Sequence, residues 1–251
     1  MNFNGLPNSY WDAQKTRVEE LRRKVSTGDN SADGRVVPTD NDLVIGAGRR
    51  LPLTILFTDI SGFSNRTSLT PEQQEMNLRI FNLYFTEMIR IVEDYGGTVE
   101  KNTGDGLMAY FEDAPEYAVE DNSTKRALAC ALTMFAANQY LLSPIYQASN
   151  VPVIEFRASI EHGTITIAKL GAPRRFNANV AIGNAANFAS KMLSLLKANQ
   201  IGLGSAARDR LPETWRSAWT TLSDVSTGWV FNGTTTPYPL YIYSGRWSTL
   251  I

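Results

Sequence analysis

Apolar positions along this chain change period several times, and each change marks an element. Leu53 to Phe57 is a near-continuous apolar and β-branched run, the pattern of a strand buried on both faces, and it leads through Thr58 into Asp59, Ile60, Ser61, Gly62 and Phe63. Thr70 and Pro71 then predict a helix start, as N-cap and first-turn proline, with Glu72 early in the first turn. Met76, Ile80, Leu83, Tyr84, Met88 and Ile91 form the stripe of that helix, up to the Gly96-Gly97 break. Thr98 to Thr103 and Leu107 to Phe111 read as a hairpin whose tip is Gly104-Asp105-Gly106. A second long helix is predicted over roughly 121–140, and Ile154 to His162 with Ile165 to Leu170 reads as a strand pair about Gly163. Ala185 to Lys197 is predicted helical, and Trp229 to Asn232 with Pro239 to Tyr243 reads as a terminal hairpin. Strand, helix, hairpin, helix, strand predicts an α/β (α+β) domain related to the split βαβ arrangement.

Ahead of this domain, Ser9 to Val25 carries Tyr10, Trp11, Val18, Leu21 and Val25 near helical spacing, an amphipathic helix for packing on the domain or on a partner. A Gly-, Ser-, Asp- and Asn-rich linker follows, which divides the chain into residues 1–50 and a main domain, 51–251. Composition narrows the class. Basic and acidic residues number 24 and 25, with a pI near 5.9, so nonspecific nucleic-acid binding is not expected. One cysteine, Cys130, excludes an internal disulfide and sits in an apolar helical stretch, as a packed thiol would. The N-terminus lacks the pattern of a signal peptide, and no apolar window approaches the ~20 residues of a membrane span. The expectation is a cytoplasmic protein with no membrane partner.

Two carboxylates, at a strand end and at a hairpin tip, are hard ligands suited to Mg2+ or Mn2+. Two such ions would sit roughly 3.5–4 Å apart. The turn from Ile60 to Ser64 is expected to offer backbone N–H groups to phosphate oxygens. In the stretch Leu170 to Met192, Arg174 and Arg175 precede a Gly-Asn turn, and Asn187 and Lys191 follow at i and i+4 on one helix face. Each of these also has an ordinary structural reading: Asp as a cap, Asn187 as a helix-face amide, Lys191 as a solvated charge.

In this order and spacing, FTDISGF, EKNTGDG and IGNAANFASKM resemble the catalytic domain of class III nucleotidyl cyclases, the adenylate and guanylate cyclase fold, over roughly Leu51 to Ser244. The resemblance implies a ferredoxin-like βαββαβ domain that works as a homodimer, with active sites built from both protomers. It implies Asp59 and Asp105 as metal ligands, with the Ile60 carbonyl assisting, for two Mg2+ or Mn2+ ions. Asn187 would orient the ribose, and Lys191 stands where an arginine stabilises transition-state charge. Arg174 or Arg175 would contact the phosphates, with Arg175 in the catalytic set. Phe63, Lys101, Val180 and Asn179 would line the substrate, Lys101 reading the base. The reaction implied is attack of a ribose 3′-hydroxyl on the α-phosphorus of a nucleoside triphosphate, expelling pyrophosphate. It needs no histidine base, which leaves His162 a structural role.

Three departures from the family bear on substrate. Lys191 keeps the charge of the expected arginine without its planar fork. Val180 replaces the polar partner of the base-reading lysine. The stretch Phe231 to Tyr243 lacks a lysine for the triphosphate. An adenine amino group finds no acceptor at Val180, and guanine usually meets an acidic residue where Lys101 stands. Uracil O4 accepts from Lys101 and leaves no polar group unpaired at Val180. UTP is therefore expected first, then CTP or ATP. The pattern is similar to the bacterial pyrimidine cyclases of antiviral defence, whose cyclic UMP or cyclic CMP activates a separate cyclic-nucleotide-sensing effector. A pseudo-cyclase that binds nucleotide without turnover is the reading outside enzymes.

Overall fold

The computed structural model describes residues 31–33, 42–63, 69–114, 116–172 and 176–247 of the 251. The amphipathic helix expected over Ser9 to Val25 lies outside the described residues, as do Ser64, Arg174 and Arg175. The chain divides into two compact units, one of residues 1–50 with 166–180, the other of 51–165 with 181–251.

The larger unit carries the βαββαβ order. Its strands are β2 (Gly48–Ile60), β3 (Thr98–Asn102), β4 (Gly106–Glu112), β5 (Phe156–Ala172), β7 (Ile201–Gly204), β8 (Thr220–Leu222) and β9 (Leu240–Tyr243), β2 and β5 running on into the smaller unit. They lie in the order β3-β4-β2-β5-β7-β9-β8. Because β2 is central, Leu53 to Thr58 is buried throughout, as its unbroken apolar run predicts. Helix α1 (Pro71–Asp94) starts on a capping box: Gln73 N–H donates to Thr70 Oγ1 and Thr70 N–H to Gln73 Oε1. Helix α2 (Ser123–Ala137) is capped by the Asn122 side chain, which accepts from Thr124 N–H and Lys125 N–H. It continues through a π turn, Asn138–Leu142, into α3 (Ser143–Ala148). Tyr84, Met88 and Val92 of α1 and Leu128, Ala131 and Phe135 of α2 bury one face of the sheet, Phe135 stacking on Phe156 at 4.1 Å.

In the smaller unit, β1 (Ser31–Asp33) pairs in parallel with the first residues of β2, Gly48 to Arg50. The far end of β5 pairs with β6 (Phe176–Ile182).

Several expectations need correction. Gly163 does not turn the chain: β5 runs through it unbroken, and a Cβ there would meet Ala185 Cβ at 3.1 Å, so the glycine admits the neighbouring helix. Met76 and Leu83, expected in the buried stripe, are 45% and 38% exposed, because Ile80, Tyr84, Phe85 and Met88 face the sheet instead. The terminal hairpin reduces to a single bridge, Val230 to Pro237, while β9 pairs with β7 and β8. The helical run Ser123–Ala148 is long and apolar enough to span a membrane, contrary to the sequence reading, yet 56% of that window is buried inside the protein as a core helix is. Cys130 is fully buried, and burial pushes its thiol well above the usual range.

Candidate active site

Strand pairing brings the two acidic motifs together. In the antiparallel β2–β4 ladder Asp59 lies opposite Gly106, and Ile60 N–H donates to the Asp105 carbonyl at 2.8 Å. Gly106 makes this approach possible, since a Cβ there would sit 2.4 Å from the Thr58 carbonyl oxygen. The hairpin tip is held by Gly104 N–H to Asn102 Oδ1 at 2.7 Å and by Thr103 N–H to the Gly106 carbonyl at 2.9 Å. Asp105 itself accepts from Thr103 Oγ1 at a long 3.4 Å.

Asp59 has a partner that sequence reading missed. Arg157, on β5, donates from Nε at 2.9 Å and Nη2 at 2.7 Å, both to Asp59 Oδ2, and from Nη1 to the Leu196 carbonyl at 3.1 Å. The available signal was a single arginine in an otherwise apolar strand start, FRASI. Both bonds fall on one oxygen, which leaves Oδ1 for another ligand.

The donor set suits a divalent cation. Asp59 and Asp105 carboxylates with the Ile60 carbonyl are hard oxygens, and Ser61 Oγ, just past the strand end, is buried without a hydrogen-bond partner among the described residues. Such an orphaned oxygen is what a hydrated ion or a phosphate would satisfy. Among the described residues no three His, Cys, Asp or Glu side chains cluster, so the set is two carboxylates and a carbonyl. The phosphate turn is more restricted than expected: Ser61 N–H is taken by the Glu155 carbonyl at 2.8 Å, and α1 begins only at Pro71. Phe63 packs on Phe81 at 5.0 Å between ring centroids.

Asn187 and Lys191 lie on α4 (Asn184–Leu193), and both are exposed. The opposite face of α4, through Ala185, Ala189 and Met192, is buried, and Ser159 Oγ donates to the Ala189 carbonyl at 2.5 Å. Phe188 stacks on Trp229 and packs at a tilt against Tyr238, both at 5.0 Å between ring centroids. These contacts fix the outward direction of Asn187 and Lys191 and give Lys191 no carboxylate partner among the described residues. Lys101, on β3, is exposed and 3.3 Å from Glu100 Oε1. Asn179 and Val180 are half-buried residues of β6 in the smaller unit.

His162 has the structural setting expected. Its Nδ1 lies 3.0 Å from Thr54 Oγ1, which also contacts Ser123 and Thr124, and burial lowers its pKa to about 4. Its neighbour Glu161 was not foreseen. Glu161 is 1% exposed and accepts from His162 N–H, Ala207 N–H and Tyr238 Oη. Burial still raises its pKa to about 7.

Comparison with known proteins bears on the family and the fold. The family model for the adenylate and guanylate cyclase catalytic domain matches residues 47–227. The chain belongs to that family. An adenylate cyclase of Anabaena cylindrica is 29% identical over 160 residues, 62% of this chain and 30% of that protein. A uridylate cyclase of Rhodovulum sp. (strain MB263) is 22% identical over 174 residues, 66% of this chain and 68% of that protein. The chain thus matches under a third of the adenylate cyclase's length. Among solved structures, the adenylyl cyclase CyaB from P. aeruginosa matches with a TM-score of 0.65 at 24% identity, covering 81% of this chain and 98% of that one. The guanylyl cyclase Cya2 matches with a TM-score of 0.64 at 23% identity, covering 79% and 94%. These likenesses establish the class III cyclase fold.

Proposed function

We propose that this chain is a nucleotidyl cyclase that converts UTP to 3′,5′-cyclic UMP and pyrophosphate. The observation that carries the reading is the junction of Asp59, Ile60 and Asp105 across the β2–β4 ladder within a cyclase-family fold. Asp59 Oδ1, Asp105 and the Ile60 carbonyl would hold Mg2+ or Mn2+. When bound, such ions lower the pKa of a hydroxyl and offset charge on phosphate. Arg157 bonds Asp59 through Oδ2 alone and leaves Oδ1 open. Asn187 orients the ribose and Lys191 stabilises charge on the transferring phosphoryl group, with Arg174 and Arg175 at the phosphates. The nucleophile is already tethered within the substrate, so positioning supplies much of the catalysis.

The exposed Asn187 and Lys191, distant in bonding from the carboxylates, support a homodimer in which each site takes α4 from the other chain. The base choice rests on Lys101 as a donor for uracil O4 and on Val180 by residue type alone. The product would act as a second messenger in bacterial antiviral defence, through a separate cyclic-nucleotide-sensing effector. The chain would work in the cytoplasm without nucleic-acid or membrane partners, with residues 1–50 as helix and linker ahead of the catalytic part. The likeness to an adenylate cyclase gives cyclic AMP a second reading. Purified protein incubated with each of the four NTPs and Mn2+, with products resolved by mass spectrometry, separates them. Cyclic UMP is expected to dominate. Cyclic AMP as the main product overturns the choice of base, and absence of any cyclic product overturns the activity.

A further inference from the structure

Strand β3 carries one acidic side chain, Glu100, that the site described above does not use. Its pairing with β4 runs Thr98 to Tyr110 and Val99 to Ala109, then slips, so that Lys101 rather than Glu100 lies opposite Met108. Glu100 is the extra residue of a β-bulge. In a regular strand adjacent side chains point to opposite faces. Here the bulge sets Glu100 beside Lys101, with Oε1 and Nζ 3.3 Å apart. The Glu100 side chain is only 4% exposed. Its Oε2 accepts from Ala181 N–H at 3.0 Å, which ties β3 to the residue directly after Val180. Oε1 is buried and makes no well-formed hydrogen bond among the described residues. The ammonium lies beyond the ~2.7–2.9 Å of a charge-assisted bond. Lys101 is thus the one cation paired with Oε1 among the described residues, at a distance longer than such a bond. Burial accordingly raises the Glu100 pKa, against the opposing pull of Lys101 and Ala181 N–H.

We propose that Glu100 is a base-reading residue whose Oε1 accepts the N3–H of a uracil while Lys101 Nζ donates to O4. This rests on the reading of Lys101 as a base contact. Uracil presents a donor beside an acceptor on one edge, and Glu100 with Lys101 presents an acceptor beside a donor. Cytosine in the same pose sets a bare N3 against the carboxylate and an amino group against the ammonium, two repulsive contacts that reject it. The pair thereby separates uracil from cytosine, from a position no sequence period reveals.

The test is kcat/KM of the full chain with Mn2+ for UTP, CTP and N3-methyl-UTP, in wild type, Glu100→Gln and Glu100→Ala. The methyl group removes the donor, so wild type should use N3-methyl-UTP at least about tenfold less well than UTP. In Glu100→Ala that gap should shrink to within about threefold. In Glu100→Gln the amide oxygen keeps Ala181 N–H and the amino group faces the base. The UTP-to-CTP ratio should then fall by about tenfold or more. A purely structural Glu100 would lower all substrates alike; unchanged ratios in Glu100→Gln overturn the proposal, whether or not Glu100→Ala folds. Cyclic UMP from wild type with unchanged ratios refutes Glu100 alone. Cyclic AMP from wild type refutes the uracil reading and this proposal with it.

Discussion

The carboxylate corner at the end of β2 and the outer face of α4 are built on opposite terms. At the corner, Asp59 is gripped by Arg157, Ile60 N–H holds the Asp105 carbonyl, and Gly106 sits against β2 with no room for a Cβ. On α4, the buried face is as firmly packed, through Ala189, Met192 and the stacked Phe188, yet Asn187 and Lys191 project outward. One chain completes the carboxylate pair and leaves Asn187 and Lys191 exposed on the outer face of α4. Long charged side chains left unpaired at the surface cost little to expose, so the fold can present them to a second copy without strain.

The largest effect should come from the corner. Asp59→Ala or Asp105→Ala should lower product formation by about 10³-fold or more while leaving the circular dichroism spectrum unchanged. Mixing Asp59→Ala chains with Lys191→Ala chains should then restore activity, because one of the two shared sites keeps both groups. No recovery on mixing would break the contrast and put both groups in one chain's site. Next in size is α4: Lys191→Ala should lower kcat by about 10²-fold, while Lys191→Arg, which adds a planar fork, should hold or raise it.

Arg157→Gln probes the corner more finely. It removes a cation that competes for Asp59, so Mn2+ binding followed by electron paramagnetic resonance without nucleotide should tighten by on the order of fivefold. Weaker binding would mean that Arg157 serves chiefly to orient the carboxylate.

The smallest effect concerns the packing beneath α4. Tyr238 both packs against Phe188 and bonds Glu161. Glu161 holds its proton up to about pH 7 when folded, against 4.5 ordinarily, so its contribution to stability falls as pH rises through that window. His162, lowered from 6.5 to about 4, acts the other way: its contribution is lost as pH falls through that window. Glu161→Gln should therefore flatten the decline in melting temperature between about pH 5 and 8. A decline as steep as in wild type would place its source elsewhere in the molecule.

Local signals were legible in the sequence. Thr70 with Gln73, the buried run of β2 and the Gly-Asp-Gly tip depend on neighbours in the chain, and each lies where its residue types require. Misreadings came where a distant element decides. Gly163 looks like a turn, and only the approach of Ala185 shows why a strand needs glycine there. Pro239 to Tyr243 reads as the partner of its neighbour in sequence, whereas β9 finds β7 across the unit. Met76 and Leu83 keep helical spacing, but the sheet takes up the adjacent stripe. Arg157 and Glu100 carry no period or motif of their own; their significance appears only from what lies within 3.3 Å of them.

By itself the sequence determined the family, the carboxylate pair and the helix bearing Asn187 and Lys191, because motif spacing and short-range periodicity are properties of the chain alone. Tertiary structure decided which charges meet. The grip of Arg157 on Asp59 joins residues 98 apart in sequence, and the bulge that aligns Glu100 with Lys101 arises from pairing with β4. Contacts of this kind depend on register and packing across the sheet, and no residue encodes them in its own neighbourhood.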